Sequence, residues 1–535
     1  MQKVLYNGKI YIEKDQFVEA LLIEDDIIIM IGSNEDVLLA AKNAVLIDCQ
    51  HQTVIPGFND SHMHLLNLAL SYSQVQLNTC RSIDDIILRC QTFINENPDM
   101  VKDGLLGRGW NQDLFVDDKR IPDRHDLDKI TTDIPIVLRR VCGHTLVTNT
   151  KALKLLKLTK GSMQYKGGLF SLDTDGYPNG VFAENAGDYP INLIPKLAMI
   201  QQRELLIKAM RYAVACGLTS VQSNDINDFE NETELRQMIE DIYHKQQALL
   251  RYRFQVGFCD PMSFKHVLAT KRYCLDTRHD WLKLGPMKMF KDGSLGARTA
   301  LMRQTYRDDP GNYGIEAMSE KIMDEYCALA NQYHVQMITH VIGDKAIEKT
   351  LDSYEKYSDQ NNINRHSLVH CQITDLPLLK RIKAMNVCVQ YQPVFLEYDL
   401  HIVNQRVSDK LVETSYAFRT LHELGGKISY GSDCPVEDCN PLLNVYCAVT
   451  RKDYDGYPSN GFVTKECVDV ATAIDAYTLG SAYVEYAEKT KGRLKEGYLA
   501  DLVILDQDIF TIDPNQIKDI KPVLTMVGGK IVYEK

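Results

Sequence analysis

The feature that most narrows the possible folds is a repeated alternation of short apolar stretches and helical patterns through the middle of the chain. Eight stretches stand out: TVIP at Thr53, GLTSVQSN from Gly217, RYRFQVGF from Arg251, LKLGPMKMFKDG from Leu282, VQMITHVIG from Val335, HSLVHCQ from His366, NVCVQYQP from Asn386 and KISYGSDCP from Lys427. Between most of them lie segments with apolar residues three and four apart, such as ELLIKAMRYAVACG and EKIMDEYCALANQYH. Strand followed by helix, repeated, is the pattern of βα units and a parallel sheet. Eight units predict an α/β fold, a (β/α)8 TIM barrel over residues 53–490, with its working groups at the C-terminal ends of the strands.

The two ends of the chain read differently. VLYNGKIYI, VEALLIEDDIIIMIG and AVLIDCQ lie within residues 1–52, and LADLVILD and VLTMVGGKIVYEK within 491–535. These are short strands with Gly and Asp turns, so a small β-sandwich built from both termini is expected. After the first strand comes an insertion at about 75–200, far longer than the ~2 to 6 residues of an ordinary βα loop. Its Gly-, Asp- and aromatic-rich pieces predict a subdomain of loops and strands.

Hydrophobic content of 45% and charged content of 25% suit a globular protein with a sizeable core. The net charge of -12 carries no basic stripe, which argues against nucleic acid and anionic membranes as partners and leaves a small-molecule substrate, with a homodimer allowed. The 14 cysteines are scattered, and MQKVLYNGKIYIEKD has no secretory leader pattern, so a reduced, cytoplasmic setting is expected. Cys371 and Cys434 each follow a candidate ligand but read as small buried hydrophobes. Ala20 to Gly32, broken by Glu24, Asp25 and Asp26, is a strand pair rather than a membrane span.

Polar residues stand at strand ends where a packed core would reject them. His62 and His64 are two apart, so on a strand both imidazoles reach one point, an arrangement that suits zinc and similar ions. His340 ends the fifth strand, His370 the sixth, and the eighth runs through Gly431 and Ser432 into Asp433. In KMFKDG, Lys288, Phe290 and Asp292 share one face while Met289 and Lys291 share the other. Lys291 suits the barrel rim, where a lysine can snorkel. Lys288 then points inward, where a bare ammonium beside a cation is costly. Either it is carboxylated by carbon dioxide into an anionic carbamate ligand, or it pairs with Asp292 or Asp433.

PGFNDSHMH, KMFKDGSLGARTA, THVIGDKA, LVHCQ, GSDCPVE and EGYLADLVILD together resemble the amidohydrolase superfamily, in particular its YtcJ-like branch of metal-dependent hydrolases. GRGWNQ, LRRVCGHTLVTN and GVFAENA extend the resemblance into the insertion. It implies that His62 and His64 hold one divalent metal, zinc by default, and that His340 and His370 hold a second. It further implies that carboxylated Lys288 bridges them, that Asp433 touches the first, and that a metal-bound hydroxide attacks a carbonyl. Asp433 would carry the proton to the leaving amine. From the same motifs, Trp110, His144, Glu184 and Arg298 are expected to line the substrate pocket.

The function expected is hydrolysis of a non-peptide, amide-type C–N bond. One alternative is a mononuclear deaminase on the same barrel. Deaminases of the superfamily usually carry a glutamate three residues after the strand-five histidine, where this chain has Gly343. The other alternative is a non-catalytic scaffold of the same fold, which would have lost ligands that this chain keeps.

Overall fold

Eight parallel strands follow one another in chain order around a single sheet: Phe58–Met63, Leu218–Ile226, Arg251–Val256, Leu282–Phe290, Met337–Val341, Ser367–His370, Cys388–Tyr391 and Lys427–Tyr430. This is a computed structural model; it describes residues 1–140, 145–165, 168–273 and 281–535, and the side chains of Glu184 and Asn185 also lie outside the described set. Helices cover the sheet as their periodicity predicts. In Glu320–Gln332 the buried residues are Met323, Tyr326, Cys327 and Ala330, one stripe at three- and four-residue spacing, and the Ser319 side chain caps its first turn. Asp344–Tyr357 buries Ile347, Thr350, Leu351 and Tyr354 in the same way.

The first and eighth strands lie at the two ends of this ladder, and hydrogen bonds just beyond them close the cylinder. The Asp433 N–H donates to the His62 carbonyl at 2.8 Å, and the His64 N–H donates to the Cys434 carbonyl at 2.8 Å. Beneath these bonds lies the carboxylate of Asp60, buried on the first strand. It accepts from the Ser432 hydroxyl at 2.6 Å, the Tyr477 hydroxyl at 3.0 Å, and the backbone N–H groups of His62 and Ser432 at 3.1 Å each. Gly431 passes through the seam so tightly that a Cβ would come within 2.6 Å of the His62 nitrogen and 2.8 Å of Asp60 Oδ1.

Both ends of the chain pair with each other. A six-stranded sheet combines Lys9–Glu13, Gln16–Val18 and Thr53–Pro56 with Leu502–Leu505, Pro522–Val527 and Lys530–Glu534. A four-stranded sheet holds Gln2–Tyr6, Ala20–Glu24, Ile27–Gly32 and Val45–Asp48, and the two share a core that includes Leu5, Ile10, Leu21, Ile23, Val54, Leu502 and Met526. The fold is thus a (β/α)8 barrel with a small β-sandwich from both termini and a long insertion after the first barrel strand. One detail corrects the sequence reading. Thr53–Pro56 is not the first barrel strand: it pairs with Leu502–Leu505 in the terminal sheet. Gly57 makes the transfer to the barrel, because a Cβ there would strike the Thr219 side chain at 2.2 Å.

Contacts divide the chain into one unit of Met1–Asn67 with Leu206–Lys535, holding the barrel and terminal sheets, and a second unit, Leu68–Leu205. The second unit has its own six-stranded sheet, ordered Gly168–Leu172, Pro178–Glu184, Thr145–Thr148, Ile136–Arg140, Leu105–Trp110 and Val75–Gln76. Helix Ile83–Glu96 contributes Ile86 and Cys90 to its core. Among the described residues no helix is long and apolar enough to cross a membrane.

The seam yields a prediction about stability. Gly431→Ala forces the first and eighth strands apart and should cost about 2 to 3 kcal/mol, whereas Gly32→Ala, whose nearest neighbour to a new Cβ is 3.8 Å away, should be close to neutral. Urea or thermal unfolding of the two variants checks the difference; equal midpoints would mean that the seam relaxes freely.

Candidate metal centre

Four imidazoles form a continuous row at the open end of the barrel. Ring centroids are 5.3 Å apart for His64 and His62, 5.8 Å for His62 and His370, and 4.5 Å for His370 and His340. His62 Nε2 and His64 Nε2 lie 3.3 and 3.1 Å from Asp433 Oδ1. One ligand atom each from His62, His370 and Asp433 fit within 4.8 Å of one another. Two of these residues have left-handed backbones, His370 at φ +73° and Asp433 at φ +55°, conformations that cost a non-glycine residue about 1–3 kcal/mol and cluster at functional sites.

Neighbouring groups fix which ring nitrogens face the centre. His62 Nδ1 lies 2.5 Å from Gln255 Oε1, His64 Nδ1 2.7 Å from the Asn224 carbonyl, and His370 Nδ1 2.7 Å from Gln392 Oε1. An oxygen acceptor requires the proton on Nδ1, which leaves the Nε2 lone pair free for a cation. His340 is turned the other way, with Nε2 at 3.0 Å from the Gly293 carbonyl, so its Nδ1 is the free donor.

Lys288 points inward and is buried, and its Nζ has no hydrogen-bond partner among the described residues. Neither proposed carboxylate partner takes it. Both oxygens of Asp292 face backbone N–H groups, those of Ile342 at 3.0 Å, Gly343 at 2.8 Å and Leu301 at 2.9 Å. Asp433 Oδ1 is itself without a hydrogen bond, as is His62 Nε2. Lys288 Nζ instead stands 4.1 Å from the centroid of Phe290, its same-face neighbour. Lys291 departs from expectation: it is fully buried rather than snorkelling, because Glu316 at 2.7 Å and the Met318 carbonyl at 2.7 Å pair its ammonium.

The electrostatics follow from burial without solvent. Burial pulls the Lys288 ammonium down to about 7, opposed only in part by Asp433. Burial, then the charge of Lys288, brings His62 to about 4 and His340 to about 3. Burial with the adjoining His340 holds His370 well below the imidazole range. His64 is raised: burial pulls it down, but the Asp433 carboxylate outweighs that. For Asp433 burial works upward, yet the imidazoles of His62, His64 and His370 hold it well below the usual carboxylate range. The site therefore offers neutral imidazoles at His62, His340 and His370, an ionised carboxylate and an amine that readily loses its proton. Three buried polar atoms facing one another unpaired, with nitrogen and oxygen donors, fit a divalent cation.

The four insertion and loop residues fare differently. Trp110 is corrected from pocket residue to core residue: it is fully buried among Leu77, Ile86 and Leu138, and its indole N–H donates to the Leu138 carbonyl at 3.0 Å. Arg298 has its Nε and Nη2 on Asp308 at 3.1 and 2.8 Å, so its guanidinium is committed within its own loop. His144 lies outside the described residues, as does the side chain of Glu184. Sequence reasoning missed Asn224, Gln255, Gln392 and Asp60, and gave Asp292 only as an alternative partner for Lys288. Their signal was present as amides and carboxylates at or near strand ends, where a closed barrel would otherwise be apolar.

Removing a supporting amide tests the donor assignment. Gln255→Leu should cost about 10–100-fold in metal affinity, measured by competition for zinc against a chelator. Unchanged affinity would show that His62 is oriented by something else.

Residues 45–533 match the Amidohydrolase family. The chain is 31% identical over 543 residues to YtcJ of Bacillus subtilis (strain 168), covering 100% of both chains. It is 22% identical over 538 residues to the N-substituted formamide deformylase of Arthrobacter pascens, covering 98% of this chain and 96% of that one. Among solved structures, an uncharacterized metal-dependent hydrolase from Pyrococcus horikoshii OT3 superposes with a TM-score of 0.78 at 26% identity, over 96% of this chain and 99% of that one.

Proposed function

This chain belongs to the amidohydrolase family, and from that membership we propose that it is a metal-dependent hydrolase of an amide-type, non-peptide C–N bond in a small molecule. An N-formyl or N-acyl amine is the substrate class we favour. The observation that carries the reading is the set of buried polar atoms without a hydrogen bond on His62, Lys288 and Asp433 at the barrel mouth, with His62 Nε2 3.3 Å from Asp433 Oδ1. Similarity to an N-substituted formamide deformylase supports the choice of bond. A cytoplasmic setting, a homodimer and zinc as the default ion belong to the same proposal.

In this reading His62, His64 and Asp433 would hold one cation and His340 and His370 a second, with Lys288, once carboxylated, as a further oxygen ligand. Carboxylation forms a bond from the neutral Lys288 Nζ to the carbon of carbon dioxide and releases one proton from nitrogen. A pKa of about 7 leaves much of the amine neutral for that step. Divalent cations supply Lewis acidity toward a carbonyl oxygen and lower the pKa of water to about 7 in favourable sites. Asp433 performs the proton transfers: its Oδ1, free of hydrogen bonds, accepts a proton from the attacking water and returns it to the departing amine nitrogen. The amides of Gln255 and Gln392 keep the imidazoles in one tautomer throughout.

Two variants test the assignment, alongside a screen of the metal-loaded chain against N-formyl amines, N-acyl amines and esters. Asp433→Asn should lower turnover by about 10²–10⁴-fold while metal content stays within the wild-type range; near-normal turnover would remove Asp433 as the proton carrier. Lys288→Ala should lose metal and regain part of it, with part of the activity, in the presence of short carboxylic acids. A Lys288→Ala protein that keeps two ions unaided would end the carbamate assignment.

A further inference from the structure

A second group of soft donors lies outside the row of imidazoles. Cys216 follows helix Met199–Ala215, and Asp438 and Cys439 sit on the loop between the eighth strand and helix Pro441–Thr450. Both sulfurs and a carboxylate oxygen of Asp438 lie within 4.8 Å of one another. Tetrahedral zinc with bonds of about 2.3 Å to sulfur places two thiolates about 3.8 Å apart, so the three groups need move little to share an ion.

Two hydrogen bonds hold the carboxylate of Asp438 in place. Tyr212, one helical turn before Cys216, donates its hydroxyl to Asp438 Oδ2 at 2.7 Å, and the Asn440 N–H donates to Oδ1 at 2.8 Å. Such outer-sphere hydrogen bonds orient a metal-binding carboxylate. Cys439 is fully buried and Cys216 nearly so, while Asp438 is exposed and opens the group to solvent. A third thiol, Cys434, adjoins Cys439.

We propose that Cys216, Cys439 and Asp438 form a site for a thiophilic divalent cation of the zinc class, separate from the barrel-mouth centre. Binding breaks two S–H bonds, forms two metal–sulfur bonds and releases two protons to solvent, with no change of oxidation state. The fourth position is left to water or to the Cys434 sulfur. Without a cation the thiols stay protonated: the adjoining Cys439 thiol, burial and the Asp438 charge all push the Cys216 thiol upward. A dication bound there would displace those protons, so affinity should rise with pH. The site also has a place in the fold, because the same loop carries Asp433, and the Cys434 carbonyl receives the His64 N–H at 2.8 Å.

Cadmium titration of the full-length chain tests the proposal, because thiolate-to-cadmium charge transfer absorbs in the ultraviolet whereas imidazole and carboxylate ligands give no such band. The wild type should show the band and bind one more equivalent than Cys216→Ser/Cys439→Ser. A His62→Ala/His64→Ala chain should keep the band, since it empties only the barrel mouth. Asp438→Asn, an exposed change that leaves the core intact, should weaken cadmium binding at this site at least about tenfold. The proposal falls if the wild type shows no band, if the band survives the double serine variant or is lost with His62 and His64, or if Asp438→Asn binds cadmium as tightly as wild type.

Discussion

A cylinder of parallel strands must be closed somewhere, and in this chain the closure depends on a carboxylate with no access to solvent. Asp60 accepts two backbone N–H groups and two hydroxyls, drawn from the first strand, the end of the eighth and Tyr477. Burial outweighs those four donors, which work against it, and leaves the Asp60 pKa raised to about 7. Because the donors include the backbone of His62 and of Ser432, the group that closes the barrel also sets the positions of a predicted metal ligand and of the residue before Asp433. Fold and site share one hydrogen-bond network. A substitution at the seam therefore disturbs both.

The barrel mouth obeys the opposite rule. Several other buried charges in the first unit are matched: Arg251 with Asp501 at 2.7 Å, Lys491 with Glu485 at 2.5 Å, Lys291 with Glu316 at 2.7 Å. At the mouth, Lys288 Nζ, His62 Nε2 and Asp433 Oδ1 are left unmatched. Each such group costs about 1–3 kcal/mol or more, and the left-handed backbones of His370 and Asp433 add to the total. Open donor atoms and left-handed backbones thus coincide at the barrel mouth, where a cation would relieve them.

Much of this was legible in the sequence, because the signals are periodic. Strand and helix spacing marked the barrel, and polar residues at strand ends marked His62, His64, His340, His370 and Asp433. Period two on KMFKDG placed Lys288 inward. What failed did so for tertiary reasons. Val54 and Ile55 are as apolar as any barrel strand, and nothing local says that they pair with Leu502–Leu505 some 450 residues away. Lys291 looked like a rim lysine because its partner Glu316 stands far along the same long connection after the fourth strand and is brought back only by the fold. Trp110, set between glycines and polar residues, looked like a pocket wall, yet its ring fills the core of the insertion. Gln255 and Gln392 carry no charge and no motif, so their hold on the imidazoles appears only when the strands are adjacent in space.

Three of the buried aspartates near the imidazoles, Asp60, Asp292 and Asp433, differ in the donors around them, and that difference sorts them by role. Asp60 receives four hydrogen bonds. Asp292 receives the N–H groups of Leu301, Ile342 and Gly343, which ties the loop after the fourth strand to the one after the fifth, and its pKa is pushed up to about 7 by burial. A carboxylate so occupied has its lone pairs aimed at fixed backbone and is poorly placed to trade protons with a substrate. Asp433 differs from both: its Oδ1 makes no hydrogen bond, it faces two imidazole nitrogens, and those imidazoles keep it ionised. Burial is common to all three, so neither burial nor residue type assigns the chemistry. The number of donors already satisfied does, and by that measure Asp433 is the one of the three with an oxygen left to use.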